Sequence, residues 1–497
     1  MEQRIRSNQC LPLVGVLLMI GGCTVGPDYV RPTAPSAPAF KELEGWKIAQ
    51  PQDETIRGTW WEIYGDPDLN ALVEQVSVSD QTLLTAEAQF RQARALVWGA
   101  RASWYPTAAL GVSFAHTKRS ENQQSGFSGG SSGGQSGSGN AFNDFTTPLS
   151  ASWEPDLWGS IRRAVEANTA SAQASAADVE SARLSLQAEL AADYFQLRAL
   201  DSERALLDQT VTAYQKSVQL TQNRFDNGVA SRVDVALAQT QLQTTQAQAI
   251  EIGVQRAQLE HAIAVLIGVP ASSFSIAVRP LNQTPPPVPV GVPSEMLERR
   301  PDVAAAERTA AAANAQIGVA EAAFYPTVTL SGSVGFESSD WSNWLTWPSR
   351  FFTFGPSATE TVFDGGLRQA QTAQARAAYE ATVASYRQTV LAAFQDAEDN
   401  LAALRILEEE SRVQDEAVAS AQESVQLTTN RYKEGAASYL DVVVTQTAAL
   451  NNERTAVDIV GRRMMASVRL VQALGGGWDA STLPSGHELA KDRPLWP

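Results

Sequence analysis

Few residues in this chain have the types and spacing to do chemistry. The histidines, His116, His261 and His487, lie far apart with no ligand spacing between them. That pattern does not indicate a histidine metal cluster or a Ser/His/Asp triad. No Gly-x-x-x-x-Gly-Lys-Ser/Thr sequence occurs, so the chain offers no nucleotide loop to drive work. Its Gly-x-Gly patterns fall in a Gly/Ser tract and do not open a helix after a strand. No enzyme constellation stands out and no cofactor is expected. Of the two cysteines, Cys10 falls inside an N-terminal targeting segment. The mature chain is therefore expected to carry one thiol, Cys23, and no internal disulfide.

Cys23 is where covalent chemistry is expected. Arg4 and Arg6 precede the apolar run Leu11 to Ile20, which is too short to span a bilayer as a helix. This reads as a secretory signal peptide over residues 1–22. Ile20-Gly21-Gly22-Cys23 resembles the bacterial lipoprotein cleavage box, with Ile20 where leucine is more usual. The implied product starts at Cys23, acylated on sulfur and amino group. Each buried methylene adds about 0.8 kcal/mol, so several chains anchor firmly. Thr24 stands where an aspartate would resemble the inner-membrane retention signal, so the outer membrane is the expected destination. The competing reading is an ordinary signal peptide followed by an incidental cysteine.

The chain of 497 residues has a formal charge of −16, which a nucleic-acid backbone would repel. No nucleic-acid partner is expected. The acidic excess either lines a path for cationic cargo or keeps a large wet surface soluble. Length alone allows two or three ordinary domains, but the sequence repeats itself. Ser217–Val235 and Ser424–Val442 share 12 of 19 positions at an offset of 207. Trp104-Tyr105-Pro106-Thr107 matches Phe324-Tyr325-Pro326-Thr327 at an offset of 220, and Gly159 matches Gly365 at 206. The first copy thus carries about 14 extra residues, which the flexible Gly/Ser tract 125–139 supplies.

Each copy is expected to hold a rod. No Gly or Pro occurs over Ser160–Asn227 or Leu367–Glu434, 68 residues each, and both are rich in helix formers. At 1.5 Å per residue such a helix is about 100 Å long, and it is too polar for lipid. Leu207, Val211, Tyr214, Val218, Thr221 and Phe225 step by 4,3,4,3,4, a coiled-coil seam. Val418, Val425, Thr428 and Tyr432 continue it, more weakly, in the second copy. Gly228 and Gly435 then stop the rods in a left-handed turn. Ser231 and Ser438 read as N-caps of return helices, with Asp234 and Asp441 three residues on. The returns run to Gly268 and Gly475. Shorter helical segments, Asp68–Ser103 and Ser294–Ala323, are expected to stack end to end with them, so that two short helices match one rod.

Between the helices, Thr107–Lys118, Phe142–Trp153, Thr327–Phe336 and Phe352–Phe363 alternate apolar and polar residues, giving two hairpins. Four strands cannot close a barrel, and lipid forbids open edges. Strands from three protomers give 12, an acceptable membrane barrel. The aromatic loop Trp341–Trp347 reads either as an interfacial belt or as an external loop packed on itself.

Cys23-Thr24-Val25-Gly26-Pro27-Asp28-Tyr29 resembles the lipidated start of the outer-membrane efflux protein (TolC-type) family. The match is closest to the lipoprotein branch serving resistance-nodulation-division pumps. Leu297-Glu298-Arg299-Arg300-Pro301-Asp302-Val303 looks like that branch's signature opening the second copy, continued by Ala312–Pro326. The resemblance implies a mixed α+β membrane protein. In it, a homotrimer builds a 12-stranded outer-membrane β-barrel continuous with a 12-helix periplasmic α-barrel, each protomer a tandem repeat. It implies a passive channel in a tripartite efflux system, with a periplasmic adaptor and an inner-membrane pump. The expected plan is residues 1–22 signal peptide, 23–66 lipid anchor and Pro-rich segment, and 67–278 first repeat with its hairpin at 106–154. A linker (279–293), the second repeat (294–475, hairpin 325–364) and a tail (476–497) follow.

The resemblance also assigns sites. Arg224, Asn227, Gly228, Ala230 and Ser231, with Arg431, Gly435, Ala436, Ala437 and Ser438, would meet the adaptor, the small residues letting two backbones approach. The alternative is that the glycines only end helices. Asp441 matches the aspartate that rings the family's closed pore. Tyr432 and Asp234 match a tyrosine–aspartate bond that holds the pore shut in some members. Ala437 and Val444 depart from those members, which have arginine and a second aspartate there. This implies one acidic ring with an apolar constriction at Val444. The simpler reading is that Asp234 and Asp441 cap their own helices. A type I secretion conduit and a structural coiled-coil lipoprotein are the alternative functions. The lipid signature argues against the first and the duplicated hairpins against the second.

Overall fold

The computed structural model describes residues 24–35, 40–42, 58–118, 141–287 and 298–491. Helices α1 (Pro67–Ser79) and α2 (Gln81–Ala102) lead into strands β1 (Thr107–Leu110), β2 (Ser113–Thr117) and β3 (Phe142–Trp153). Helix α3 (Ser160–Asp226) runs into α4 (Arg232–Leu266). The second copy gives α5 (Pro301–Ala322), β4 (Thr327–Ser338), β5 (Arg350–Thr359), α6 (Leu367–Lys433) and α7 (Tyr439–Ala473). A short α8 (Gly486–Ala490) closes the described chain. Cys23, the signal segment, the Gly/Ser tract and the linker beyond residue 287 lie outside the described residues.

Both rods are unbroken helices of 67 residues, α3 and α6. Their starts differ by 207 positions and those of α2 and α5 by 220, so the insertion is 13 residues, not 14. The glycine matching Gly159 at the rod's start is Gly366, also left-handed (φ 81° and 93°), rather than Gly365. The seam side chains Leu207, Tyr214 and Thr221 are buried. One expected element divides: the first short helix breaks at Asp80, whose backbone is extended and whose carboxylate accepts from Leu83 N at 2.8 Å. Asp80 thus caps a new helix, ending α1 without glycine or proline.

The rods are matched by stacked pairs. Near the sheet the helices lie in the order α2, α3, α5, α6, and at the far end α4, α3, α7, α6. Two glycines make the joints. A Cβ on Gly268, after α4, would strike the Ser79 carbonyl oxygen at the end of α1. A Cβ on Gly475, after α7, would strike the Arg299 carbonyl oxygen at the foot of α5. The main core gathers around these joints, where Trp60, Leu69, Tyr194, Phe195, Tyr386 and Met464 are almost wholly enclosed.

The strands form one antiparallel sheet ordered β1/β2, β3, β4, β5. β1 and β2 share one continuous register against β3, interrupted where Gly111 faces Pro148. Gly111 N donates to Pro148 O at 2.9 Å, but proline has no N–H to return, so the ladder lapses there. On β4, Gly335 faces Pro148 from the other side, and a Cβ there would strike Thr147 O. β5 starts at Arg350, two residues before the expected start, and ends at Thr359, so Val362 and Phe363 lie beyond it, exposed.

Candidate functional site

Register assigns each sheet residue to a face. One face carries Leu110, Phe114, Leu149, Trp153, Val334 and Phe352. The other carries Ser113, Thr146, Ser150, Ser331, Ser333 and Thr353. The sheet is therefore apolar on one side and hydroxyl-rich on the other. Phe352 and Phe354 are 83% and 78% exposed, so among the described residues this part of the apolar side is uncovered. Trp341 and Trp344 each pack on Phe145 of that side at 5.6 Å, and on each other at 5.2 Å. The aromatic loop is thus both folded on itself and laid against the apolar face. Two edges, β1/β2 and β5, have no strand beside them among the described residues.

At the junction of sheet and rods sits the N-terminal strap. Val25 N donates to Trp158 O at 3.1 Å, and Arg162 Nη1 to Thr24 Oγ1 at 2.8 Å. Trp158 stacks on Tyr325 at 4.9 Å. The strap then follows α5 away from the sheet. A Cβ on Gly26 would strike the Gly318 backbone, and one on Gly318 would strike the Arg163 side chain. Arg163, with 4% of its side chain exposed, binds Asp28 at 2.8 Å and the carbonyls of Val25 and Gly26 at 3.2 Å. Asn314 donates to Pro27 O at 3.0 Å and Tyr29 to the buried Glu307 at 2.6 Å. Burial pushes the Tyr29 hydroxyl's pKa upward, and the Glu307 bond adds to it. Each residue of the Gly26–Tyr29 motif thus has a partner on the first rod or α5.

The second motif builds the lower joint. Arg300 binds Asp302 at 2.7 Å and Asp396 at 3.3 Å, and donates to Ala473 O at 3.2 Å. Pro301 opens α5, where its missing N–H costs nothing. Arg299 supplies the carbonyl that excludes a side chain at Gly475.

At the far end, the two turns adopt the expected geometry. Gly228 and Gly435 have φ of 73° and 79°, with open space around both. Both capping boxes form: Ser231 N to Asp234 Oδ2 at 2.8 Å and Ser438 N to Asp441 Oδ2 at 3.0 Å. Bonds from the Ser438 side chain, then its backbone, hold the Asp441 carboxyl below the usual carboxylate range. Asp441 is exposed, as is Val444 one turn further along α7. Asp234 is only half-exposed.

The turns are tied to each other. The Arg224 guanidinium lies 4.8 Å from the Tyr432 ring, and its Nη1 donates to Lys433 O at 2.9 Å. Tyr432 packs edge-on against Tyr439 at 5.2 Å. Arg431 reaches Ala436 O at 3.4 Å, and Asn227 caps its own helix through Asn223 O at 2.6 Å. The expected Tyr432–Asp234 bond is absent. Asp234 is held by Ser231, while the Tyr432 hydroxyl, turned into the helix bundle, has no hydrogen-bond partner. Gly228, Ala230, Ser231, Gly435, Ala436, Ala437 and Ser438 form the turns themselves. Sequence reasoning missed the exposed apolar residues Val229, Val233 and Leu440 (64%, 65% and 54%), whose signal is an apolar side chain inside a polar turn.

The family model of outer membrane efflux proteins matches residues 72–269 and 292–476, one segment in each copy. The chain belongs to this family. The pyoverdine export outer membrane protein OpmQ of Pseudomonas aeruginosa is 30% identical over 95% of this chain and 98% of its own. The cation efflux system protein CusC of Escherichia coli is 27% identical over 93% and 97%. The solved outer-membrane channel OprN superposes with a TM-score of 0.83 at 30% identity, over 92% of this chain and all of its own. Among the described residues of this outer membrane efflux protein, no helix is long and apolar enough to cross a membrane, and no group of side chains has metal-binding geometry.

Proposed function

We propose that three copies form a passive conduit, a 12-stranded outer-membrane barrel continuous with a 12-helix periplasmic one. The observation that carries this is the two-faced sheet. An apolar face suits lipid, a hydroxyl face suits a water-filled lumen, and two unpaired edges suit neighbours. Four helices per level in each protomer extend the same wall. The conduit spares cargo from dissolving in lipid, and a partner supplies the energy. By analogy with its export and efflux relatives, we take that partner to be an efflux pump and its cargo to be small toxic compounds or drugs. We assign the pump to the resistance-nodulation-division type, reached through a periplasmic adaptor. Arg224–Ser231 and Arg431–Ser438 are its docking turns, and Asp441 with Val444 narrows the pore.

Lipidation of Cys23 fits the same layout. Thr24 is held beside Trp158 at the junction of sheet and rods, which would suit acyl chains on the preceding residue that enter lipid at that level. Purified protein that is monomeric in detergent and silent in planar bilayers would overturn the conduit. Cross-linking from the turns in cells, with identification of the captured adaptor, tests the partners. Cys23→Ser should lose incorporated radiolabelled palmitate, and retained label would refute the anchor.

A further inference from the structure

We propose that Arg350 and Trp347 form a binding site for the phosphate of an outer-leaflet glycolipid of the lipid A type. This rests on the reading that the apolar face meets lipid. Arg350 pairs with Phe336 in the register, so it shares a face with Val334, Phe352 and Phe354. It lies at the end of the sheet remote from the helices, where Trp341 and Trp344 pack on Phe145. Aromatic residues of this kind settle at headgroup depth. With the helices in the periplasm, that depth belongs to the outer leaflet.

A cation at this place needs a counter-ion. Arg350 makes no ion pair among the described residues; its guanidinium lies 4.0 Å from the centre of the Trp347 ring. Trp347 is itself 72% exposed. The nearby carboxylates are committed elsewhere. Glu337 and Asp144 belong to the hydroxyl face by register, and Asp340 accepts from Ser342 N and Oγ, both at 3.0 Å. Contact with the indole restrains the guanidinium, and its N–H groups, unpaired among the described residues, can meet two phosphate oxygens. Arg350 also begins the open edge strand β5. A neighbouring copy pairing there would bring the distal end of its β2, with His116 on the same face and Lys118 just beyond. The charge of the site is thus complementary to a phosphorylated headgroup and not to a zwitterionic one.

The test is native mass spectrometry of the full-length protein in detergent, titrated with bisphosphorylated lipid A and with the same lipid after complete dephosphorylation. The wild-type chain should bind the phosphorylated form about tenfold more tightly. Arg350→Ala should erase that difference, Arg350→Lys should keep part of it, and Arg376→Ala, near the helical junction, should leave it unchanged. Equal wild-type binding of the two lipids overturns the site, as does unchanged preference in Arg350→Ala. Phosphatidylglycerol binding as tightly as lipid A overturns the choice of lipid. If Arg350→Ala does not assemble, the wild-type comparison still decides. A channel that conducts but ignores the phosphates refutes this site alone, whereas a chain that neither assembles nor conducts refutes the conduit.

Discussion

Arg224 distinguishes a gate from a docking surface. It lies in the last turn of the first rod, and its two side-chain contacts are both on the end of the second: the Tyr432 ring at 4.8 Å and the Lys433 carbonyl at 2.9 Å. A half-exposed cation–π contact contributes about 1 kcal/mol. A charged hydrogen bond to a helix-terminal carbonyl adds roughly 1.5 kcal/mol before competition from water. Together the tie holds the turns with about 2 kcal/mol, or roughly 30-fold in an opening equilibrium. Arg224→Ala should therefore raise open probability in planar bilayers by about that factor. Arg224→Lys should fall between, because an ammonium keeps the charge but not the planar stacking. The assay uses the isolated channel, with no adaptor present. If Arg224→Ala conducts as the wild type does, the tie does not hold a closed state. Arg224 would then act only through the adaptor, and cross-linking to it would weaken instead.

Further outcomes follow from the structure. Asp441→Ala combined with Asp234→Ala should raise single-channel conductance, and unchanged conductance would remove the gate assignment. Gly475→Ala should cost about 3 kcal/mol, from the left-handed backbone (φ 91°) and collision with Arg299 O. Gly435→Ala, with φ 79° but open space around it, should cost about 1 to 2 kcal/mol, so its melting temperature should fall less. Burial, then the neighbouring Glu189, pushes the Asp193 carboxyl up to about 6. A carboxyl raised on folding binds more protons folded than unfolded, so stability declines as pH rises from about 4 through 6. After allowance for solvent screening, Asp193→Asn should gain about 1 kcal/mol at pH 7.5 and nothing at pH 4, as read from thermal melts.

What the sequence made legible was local. The rods follow from long stretches without glycine or proline, and the turns from Gly228, Gly435 and two Ser-x-x-Asp boxes. Strand alternation placed both hairpins to within a few residues, although β4 and β5 extend past their expected bounds. Asp80 shows the limit of such reading. It sits within an amphipathic helical pattern, and only its competition as a cap divides the helix. The interruption at Gly111 needs Pro148 from another strand, so neither residue signals it alone. The Arg224–Tyr432 tie joins positions in different copies, which periodicity within either copy cannot reveal. The Tyr432–Asp234 bond was carried over from a family pattern. In this single chain Asp234 Oδ2 accepts from Ser231 N, and the Tyr432 hydroxyl has no partner among the described residues.

In the proposed conduit the sheet, more than the helices, would make assembly compulsory. β5 is 10 residues long, so roughly ten backbone groups point outward from its free edge. In hydrocarbon each unpaired group costs several kcal/mol, a total on the order of tens of kcal/mol that no side chain here offsets. A helical wall in water can leave its flanks open at far lower cost. Its flanks nonetheless carry matching apolar residues. Ile250, Val254 and Val265 are 71%, 59% and 69% exposed on α4, and Leu391, Ile406 and Val413 are 47%, 52% and 52% exposed on α6. α4 and α6 bound the four-helix layer on opposite sides. In the proposed conduit, burying these stripes would add to the closure that the strand edges require, so that insertion into lipid and association of copies would be one thermodynamic event.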